Sequence, residues 1–521
     1  MNAQLLDQFA EWRQFEHANL LSNGVPDYRL PAMKIKQNQL PALQQRLGAL
    51  STRNWPIAQE IDKILLSAEM NGMKFNLEVL QPWARDPAFY RSLWCEQSDT
   101  PAHEGPCHHA LIELWTYNFP LLPEAEKQLT ASLSTIPPLL EQARENLTSN
   151  AKDLWLGGIP TFRNQLNDLH KLSAKVESTQ HGLQTAITKA IIATQEFIQW
   201  LTVKGSNKSG PSGIGREAYT WYQQHVHLVP LTWDQEVCLL KRELARAHAS
   251  LRLEEHRNRN LPPLKIIDSP EEYDNRTAQS VEKYLAFLRD SRILHMKPYM
   301  APTLSAHVGR YFPEASRHFF AVARQLEPMA LWCHWYHWFE LAHMQVEPHQ
   351  SPVRRGALLY NIFDNRAEGL ATAMEEMMMH AGLYDDNPRS REVVWILLAQ
   401  RAARGLASLY LHANEFSLEQ AMDFQVANTP RGWMRKDLPL LQFEQHLYLR
   451  QPGYGSSYIT GKFQFEQLLS DYAGQRGDTF QLADFFENVN LSGIIPVALV
   501  RWELTGLNDE VQMLLAQLTG E

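Results

Sequence analysis

Between His334 and Glu376 the chain concentrates the side chains that bind metal ions or move protons. The run HWYHWFELAHMQ, a short proline-containing break (EPHQSPVRR) and a second run, LLYNIFDNRAEGLATAMEEMMMH, bring together five of the 20 histidines: His334, His337, His343, His349 and His380. Glu340, Asp364, Glu368, Glu375 and Glu376 lie among them, inside otherwise apolar helical sequence. A catalytic zinc ion takes three protein ligands and keeps one position for water, neutral imidazoles and a carboxylate being the usual set. On a straight helix His337, Glu340 and Met344 share a face. His343 lies about 120° round from His337, since six residues at about 100° each make about 600°. The second run supplies carboxylates. Asp364, Glu368, Glu375 and Glu376 fall close to one stripe that also carries Ala371, Thr372 and Met379, which is not the composition of a wholly solvated face. The competing reading is structural, with the histidines capping aromatics in a Trp-rich core and Glu368 paired with Arg366, Arg401 or Arg404. The Glu340-x-x-His343 spacing also occurs in di-iron bundles, but these need the pattern twice, and Glu376 and His380 are spaced differently.

The elements that must position this patch read as helices. Ile57, Ile61, Ile64, Leu65 and Ala68 follow helical spacing, and Asn71-Gly72 is expected to end that helix. A long helical pattern from about residue 122 leads to KGSNKSGPSGIG, residues 204–215. Its Gly, Ser and Pro mark a flexible connection between an N-terminal helical lobe, 1–203, and a C-terminal helical lobe, 216–521, that carries the site; the two also fit one continuous domain. Its glycines lack the GK[ST] ending of a phosphate loop. Thr232 and Ser417 stand where helices begin. The segment His103-Glu104 with His108 and His109 imitates a zincin helix, but the i+4 position is Cys107 and Gly105-Pro106 would break the helix, so it reads as a polar loop. The fold class is mainly α, with little β structure.

Composition narrows the partners. With 44% hydrophobic residues the chain can bury a large core, and its net charge of −9 is spread without a basic stripe. A small or peptide substrate fits better than nucleic acid or an anionic membrane. Asp7, Glu11 and Glu16 interrupt the N-terminal segment where a secretory signal needs a basic start and an apolar run, so a cytoplasmic protein is expected. The four cysteines are too scattered for a disulfide framework and are expected to be buried thiols.

Several motifs then fall into a familiar order. Glu368-Gly369-Leu370-Ala371 runs on to Glu375; Arg404 precedes His412; Pro452-Gly453-Tyr454-Gly455-Ser456-Ser457-Tyr458 forms a Gly- and Tyr-rich loop; and FFENVNLSGIIP ends at Pro496. With HWFELAHMQ before them, they resemble domain-of-unknown-function family 885, bacterial helical zinc-peptidase-like proteins whose members show HExxPGHHxQ, an EGWALYAE-like helix, RxxxDxGLH, PGxALSY and FHDxxLxxGxxPL. The likeness spans about residues 330–500, and AEMNGMKF and PWARDPAFY are similar to one branch of the family. Three places depart from the pattern: Trp338 stands where the catalytic Glu follows the first His, Leu341-Ala342 replace the Pro-Gly bend, and Ser408 replaces an Asp. The resemblance implies a bowl-shaped, zinc-peptidase-like fold with a deep central cleft, and a metal-dependent hydrolase acting on a small peptide or amide. It implies zinc on His337, His343 and Glu368, with Glu340 activating water. Tyr458 or Tyr454 would donate to an oxyanion, while Arg404 and His412 position substrate. A non-hydrolytic member using the same cleft to bind a ligand or partner, or one with repurposed metal chemistry, remains the alternative.

Overall fold

The computed structural model describes residues 2–177, 180–357 and 363–519, with side chains as far as 516. Residues 358–362, LLYNI of the second run, lie outside it. The fold is mainly α. Among the described residues, β structure amounts to one parallel pair, Leu93–Trp94 with Ile112–Glu113, and two isolated bridges.

Apolar side chains gather in two large cores. One, in the N-terminal half, is built around Trp12, Leu66, Met70, Phe162, Leu169, Ile187 and Phe197. The other, larger core holds Leu240, Tyr284, Trp332, Met374, Ile396, Phe465 and Leu499. The helix Ile57–Phe75 serves both, since Ile61, Leu65 and Ala68 face the larger core and Leu66, Met70 and Met73 the other. That helix does not end at Asn71-Gly72. Asn71 is buried, accepts from Gln44 Nε2 at 3.1 Å and donates to the His225 carbonyl at 3.1 Å, so tertiary hydrogen bonds satisfy a side chain that elsewhere competes with the helix. The helix passes into a π-turn, Asn76–Leu80, and stops at Gln81 with φ of 41°.

Residues 206–215 follow the helix His181–Gly205 and are stitched to both halves. Gly210 exchanges backbone hydrogen bonds with Asn150 and Lys152, Gly213 N donates to Asn414 Oδ1 at 2.9 Å, and Gly215 N to the His412 carbonyl at 2.8 Å. The expected caps form: Thr232 and Ser417 each close a capping box, with Gln235 and Gln420 as the reciprocal partners. Of the cysteines only Cys333 is buried; Cys95 and Cys107 are half-buried and Cys238 is exposed.

Four helices frame the functional candidates: the histidine helix Tyr336–Val346, the acidic helix Asp364–His380, the arginine helix Ser390–His412 and the tyrosine helix Tyr454–Arg476. The acidic and tyrosine helices pack along one another, and the tyrosine helix also packs on the arginine helix. Their backbones nearly touch at a glycine pair. A Cβ on Gly461 would meet the Asn365 carbonyl oxygen at 2.2 Å and Gly369 Cα at 2.7 Å, and one on Gly369 would meet Gly461 Cα at 2.4 Å. Neither neighbour is a flexible side-chain end, so only a backbone shift would relieve the clash. Gly461→Val is therefore expected to cost about 3 kcal/mol, at the upper end for overpacking. Equilibrium denaturation checks this, and an unchanged midpoint would contradict the close approach.

Candidate metal centre

The centre begins at a break in the chain. The short helix Pro328–His334, capped by the Glu327 side chain, ends at Trp335, where ψ turns to 16°, and the histidine helix starts at the next residue. His334 and His337 flank this break, their rings 5.2 Å apart and nearly perpendicular. Glu368 reaches them from the first turns of the acidic helix. One ligand atom from each of these three buried residues lies within 4.8 Å of the other two.

Each donor is oriented in its own way. His334 Nε2 lies 3.2 Å from Glu368 Oε2, while its Nδ1 lies 3.1 Å from Glu375 Oε1, itself paired with Arg401 Nη2 at 2.6 Å. A carboxylate close behind Nδ1 would orient the ring for coordination through Nε2. Burial, reinforced by Arg401, pushes His334 down to about 3, so the ring is neutral, the form that binds metal. His337 is 1% exposed, and neither ring nitrogen has a hydrogen-bond partner; the nearest charged group is Asp99 Oδ2, 3.5 Å from Nε2. A buried imidazole with both nitrogens unsatisfied calls for a partner, which a metal ion would supply.

Three further carboxyls, Asp99, Glu104 and Asp364, join that of Glu368 around the centre. Among the described residues none of them forms an ion pair with lysine or arginine, whereas neighbouring acids do: Glu340 with Arg366, Glu375 with Arg401, Glu376 with Arg246 and Lys462, and Glu444 with Arg404. Burial, with mutual repulsion next, raises Glu104 to about 8 and lifts Asp364 well above the carboxylate range. Asp99 is raised by burial and by Glu368, although His337 opposes the shift. Tyr454 Oη lies 2.7 Å from Glu104 Oε1 and 2.9 Å from Glu368 Oε1. Tyr454 Oη–H is thus the donor to both carboxyls and its one proton is shared between them. Gln451 completes the ring, donating to Asp364 at 2.8 Å and accepting from Gly105 N at 2.6 Å. Carboxyl groups without a lysine or arginine partner, beside two imidazoles, are the donor set that suits a divalent cation.

The residues expected from sequence divide. His337 and Glu368 meet in the centre; His343 does not join them. The histidine helix stays regular through Leu341-Ala342, which leaves His343 on another face, lining a separate cavity of about 520 Å³ with Met344, Glu347 and Arg366. Glu340 is 4% exposed and committed to the Arg366 guanidinium. Tyr454 touches Glu368, and Tyr458 stacks between the His334 ring, 6.0 Å away, and the Arg404 guanidinium, 3.7 Å away. Arg404 is also fixed by Glu444 at 2.9 Å. His412 is fully buried, pushed down to about 4 by burial, and donates Nε2–H to the Tyr448 carbonyl at 2.9 Å. Sequence reasoning missed Asp99, Glu104, Gln451 and the roles of His334 and Glu375. The HEGPCHH segment is a loop as expected, yet its Glu104 reaches the centre.

Comparison with known proteins places the fold. No curated protein matches the chain. A solved structure described as a candidate lipoprotein of unknown function from Shewanella oneidensis is similar over 96% of this chain and 98% of its own, with a TM-score of 0.70 at 15% identity. A second, described as a candidate lipoprotein from Colwellia psychrerythraea, is similar over 99% and 97% at a TM-score of 0.62 and 14% identity. These descriptions overturn the cytoplasmic expectation, because this fold occurs in proteins described as lipoproteins and an acidic N-terminal segment does not place the chain in the cytoplasm. Among the described residues no helix is long and apolar enough to cross a membrane. Residues 337–504, which hold His337, Glu368, Arg404, Tyr454 and Tyr458 but not His334, Asp99 or Glu104, match the family model described as a bacterial protein of unknown function (DUF885).

Proposed function

We propose that the chain is a metal-dependent hydrolase that takes zinc on His334, His337 and Glu368 and acts on a small peptide or amide. The observation that carries this reading is the buried His337 ring, unsatisfied at both nitrogens, facing a neutral His334 and the Glu368 carboxylate. Bound zinc would supply an acidified water and a Lewis acid for the scissile carbonyl. The chain's own groups supply the rest. Asp99 is the carboxylate placed to accept a proton beside the centre, with Oδ2 3.5 Å from His337 Nε2 and its side chain 34% exposed, against 2% for His337 and 1% for Glu368. Glu340 is excluded from that role by Arg366. Tyr454 Oη, whose one proton is shared between Glu104 and Glu368, would donate to a developing oxyanion on turning away from one of these carboxyls. Arg404 and Arg401 fix the Tyr458 ring and Glu375, which hold the His334 ring in place.

The test is hydrolysis of a peptide and amide panel by zinc-loaded protein. Cleavage that a chelator abolishes, and that Asp99→Asn lowers by about a hundredfold while zinc stays bound, is the expected result for loss of a general base. Cleavage indifferent to chelator, or none by the loaded protein, would contradict it. One observation favours a non-hydrolytic reading of the same centre. Trp338, where the resembled pattern has its catalytic Glu, is stacked on His307 with ring centroids 3.6 Å apart, so no carboxylate occupies that place. Tight peptide binding without turnover would establish that second reading.

A further inference from the structure

The two histidines of the metal centre are held in different ways. His334 has Glu375 behind its Nδ1, whereas neither ring nitrogen of His337 has a hydrogen-bond partner. A histidine that binds metal is ordinarily aimed by a hydrogen bond from its other ring nitrogen, and losing that support costs about tenfold to a hundredfold in metal affinity. His337 lacks this device, so packing must aim its ring.

That packing is aromatic on two sides. The His334 ring lies 5.2 Å from the His337 ring at 88°, and the Trp338 indole lies 5.8 Å from it at 71°, both edge-to-face arrangements that ring quadrupoles favour. His334 is anchored by Glu375; Trp338, only half-buried, needs an anchor of its own. His307 provides it, with its ring stacked on the indole at 3.6 Å and 18°. His307 is fixed in turn. It stands at the C-terminal cap of the short helix Met300–Ala306, which packs against the histidine helix, and its Nδ1–H donates to the Thr303 carbonyl at 2.7 Å. A continuous line of contacts thus runs from Thr303 through His307 and Trp338 to the His337 ring.

We propose that the stack of His307 on Trp338 is the orienting support of His337, standing in for the hydrogen bond that this ligand lacks. His307 is a positioning residue: it acts on the metal through Trp338 and coordinates nothing itself. This role rests on the metal centre proposed above and is independent of hydrolysis. It also gives Trp338 a purpose at the place where the resembled pattern has its catalytic Glu.

Zinc and cobalt titrations of the full chain test it. His307→Ala, which removes the stack, is expected to weaken zinc affinity by about fivefold, the worth of one aromatic pair, and to shift the visible absorption bands of bound cobalt(II), which report ligand geometry. His307→Phe keeps a stacking face while losing both ring nitrogens, and should return affinity and spectrum to the wild-type values. Trp338→Leu, which removes the indole from the line, should repeat the loss and serves as the second variant if His307→Ala does not fold. Wild-type affinity and spectrum in the folded His307→Ala and Trp338→Leu variants would overturn the proposal. So would a His307→Phe variant as impaired as His307→Ala, which would assign the effect to an imidazole nitrogen. A wild type that binds neither ion would overturn the metal centre itself, and this support with it.

Discussion

Replacing Glu368 or His337 by alanine is expected to lower zinc affinity by at least about a hundredfold, since each removes one of three protein donors and a supporting residue alone is worth about tenfold to a hundredfold. The geometry makes the effect specific. His334 and His337 stand on either side of the chain break at Trp335, and Glu368 is the only acid within reach of both among the described residues grouped as ligands. Glu375→Gln should give a smaller loss, of about tenfold, because the residue orients His334 through Nδ1 without coordinating. His343→Ala should leave affinity unchanged, since that ring lines a different cavity. Competition titrations against a chelator of known affinity measure all four. Wild-type affinity in Glu368→Ala, or loss in His343→Ala, would refute the assignment of donors.

The second large effect concerns the pair beneath the centre. Arg366, 0% exposed, holds Glu340, 4% exposed, and also donates to the Val489 carbonyl at 3.3 Å. Breaking a buried ion pair by removing one partner leaves an uncompensated charge, so Arg366→Met is expected to cost about 3–5 kcal/mol. Burial already raises Glu340 above its ordinary 4.5 even with Arg366 beside it, and losing the guanidinium raises it further. The sign of the pH dependence follows. A carboxyl whose folded value is raised favours the fold fully below its unfolded value and loses that advantage as pH rises towards the folded value. The variant should therefore be less destabilised near pH 4.5 than at neutral pH, and Arg366→Met with Glu340→Gln should recover part of the loss. Denaturation midpoints at two pH values decide the matter; a single variant as stable as wild type would show that the pair contributes nothing.

Much of this could be read from the residues, and the misses have physical causes. Helical spacing announces the mainly α fold, and Thr232 and Ser417 announce two helix starts, because periodicity and capping are local. Glu368 and His337 are legible for the same reason: both stand in apolar helical sequence where an unpaired polar group is costly. His334 is hidden, because the break at Trp335 carries neither Pro nor Gly, so spacing along one continuous helix selects His343 instead. The regular helix at Leu341-Ala342 does what its residues dictate. Asp99 and Glu104 sit on a loop remote in sequence, and only tertiary folding brings them to the centre. Asn71-Gly72 misleads in the opposite direction, since a turn signal yields to the buried hydrogen bonds with Gln44 and His225.

The central claim is that His334, His337 and Glu368 form a metal site. Its most direct test is the metal content of purified full-length protein after saturation with zinc and removal of excess, alongside His337→Ala treated in the same way. One zinc per wild-type chain and none in the variant is expected; a wild type that retains no zinc, or a variant that retains as much, would contradict the assignment.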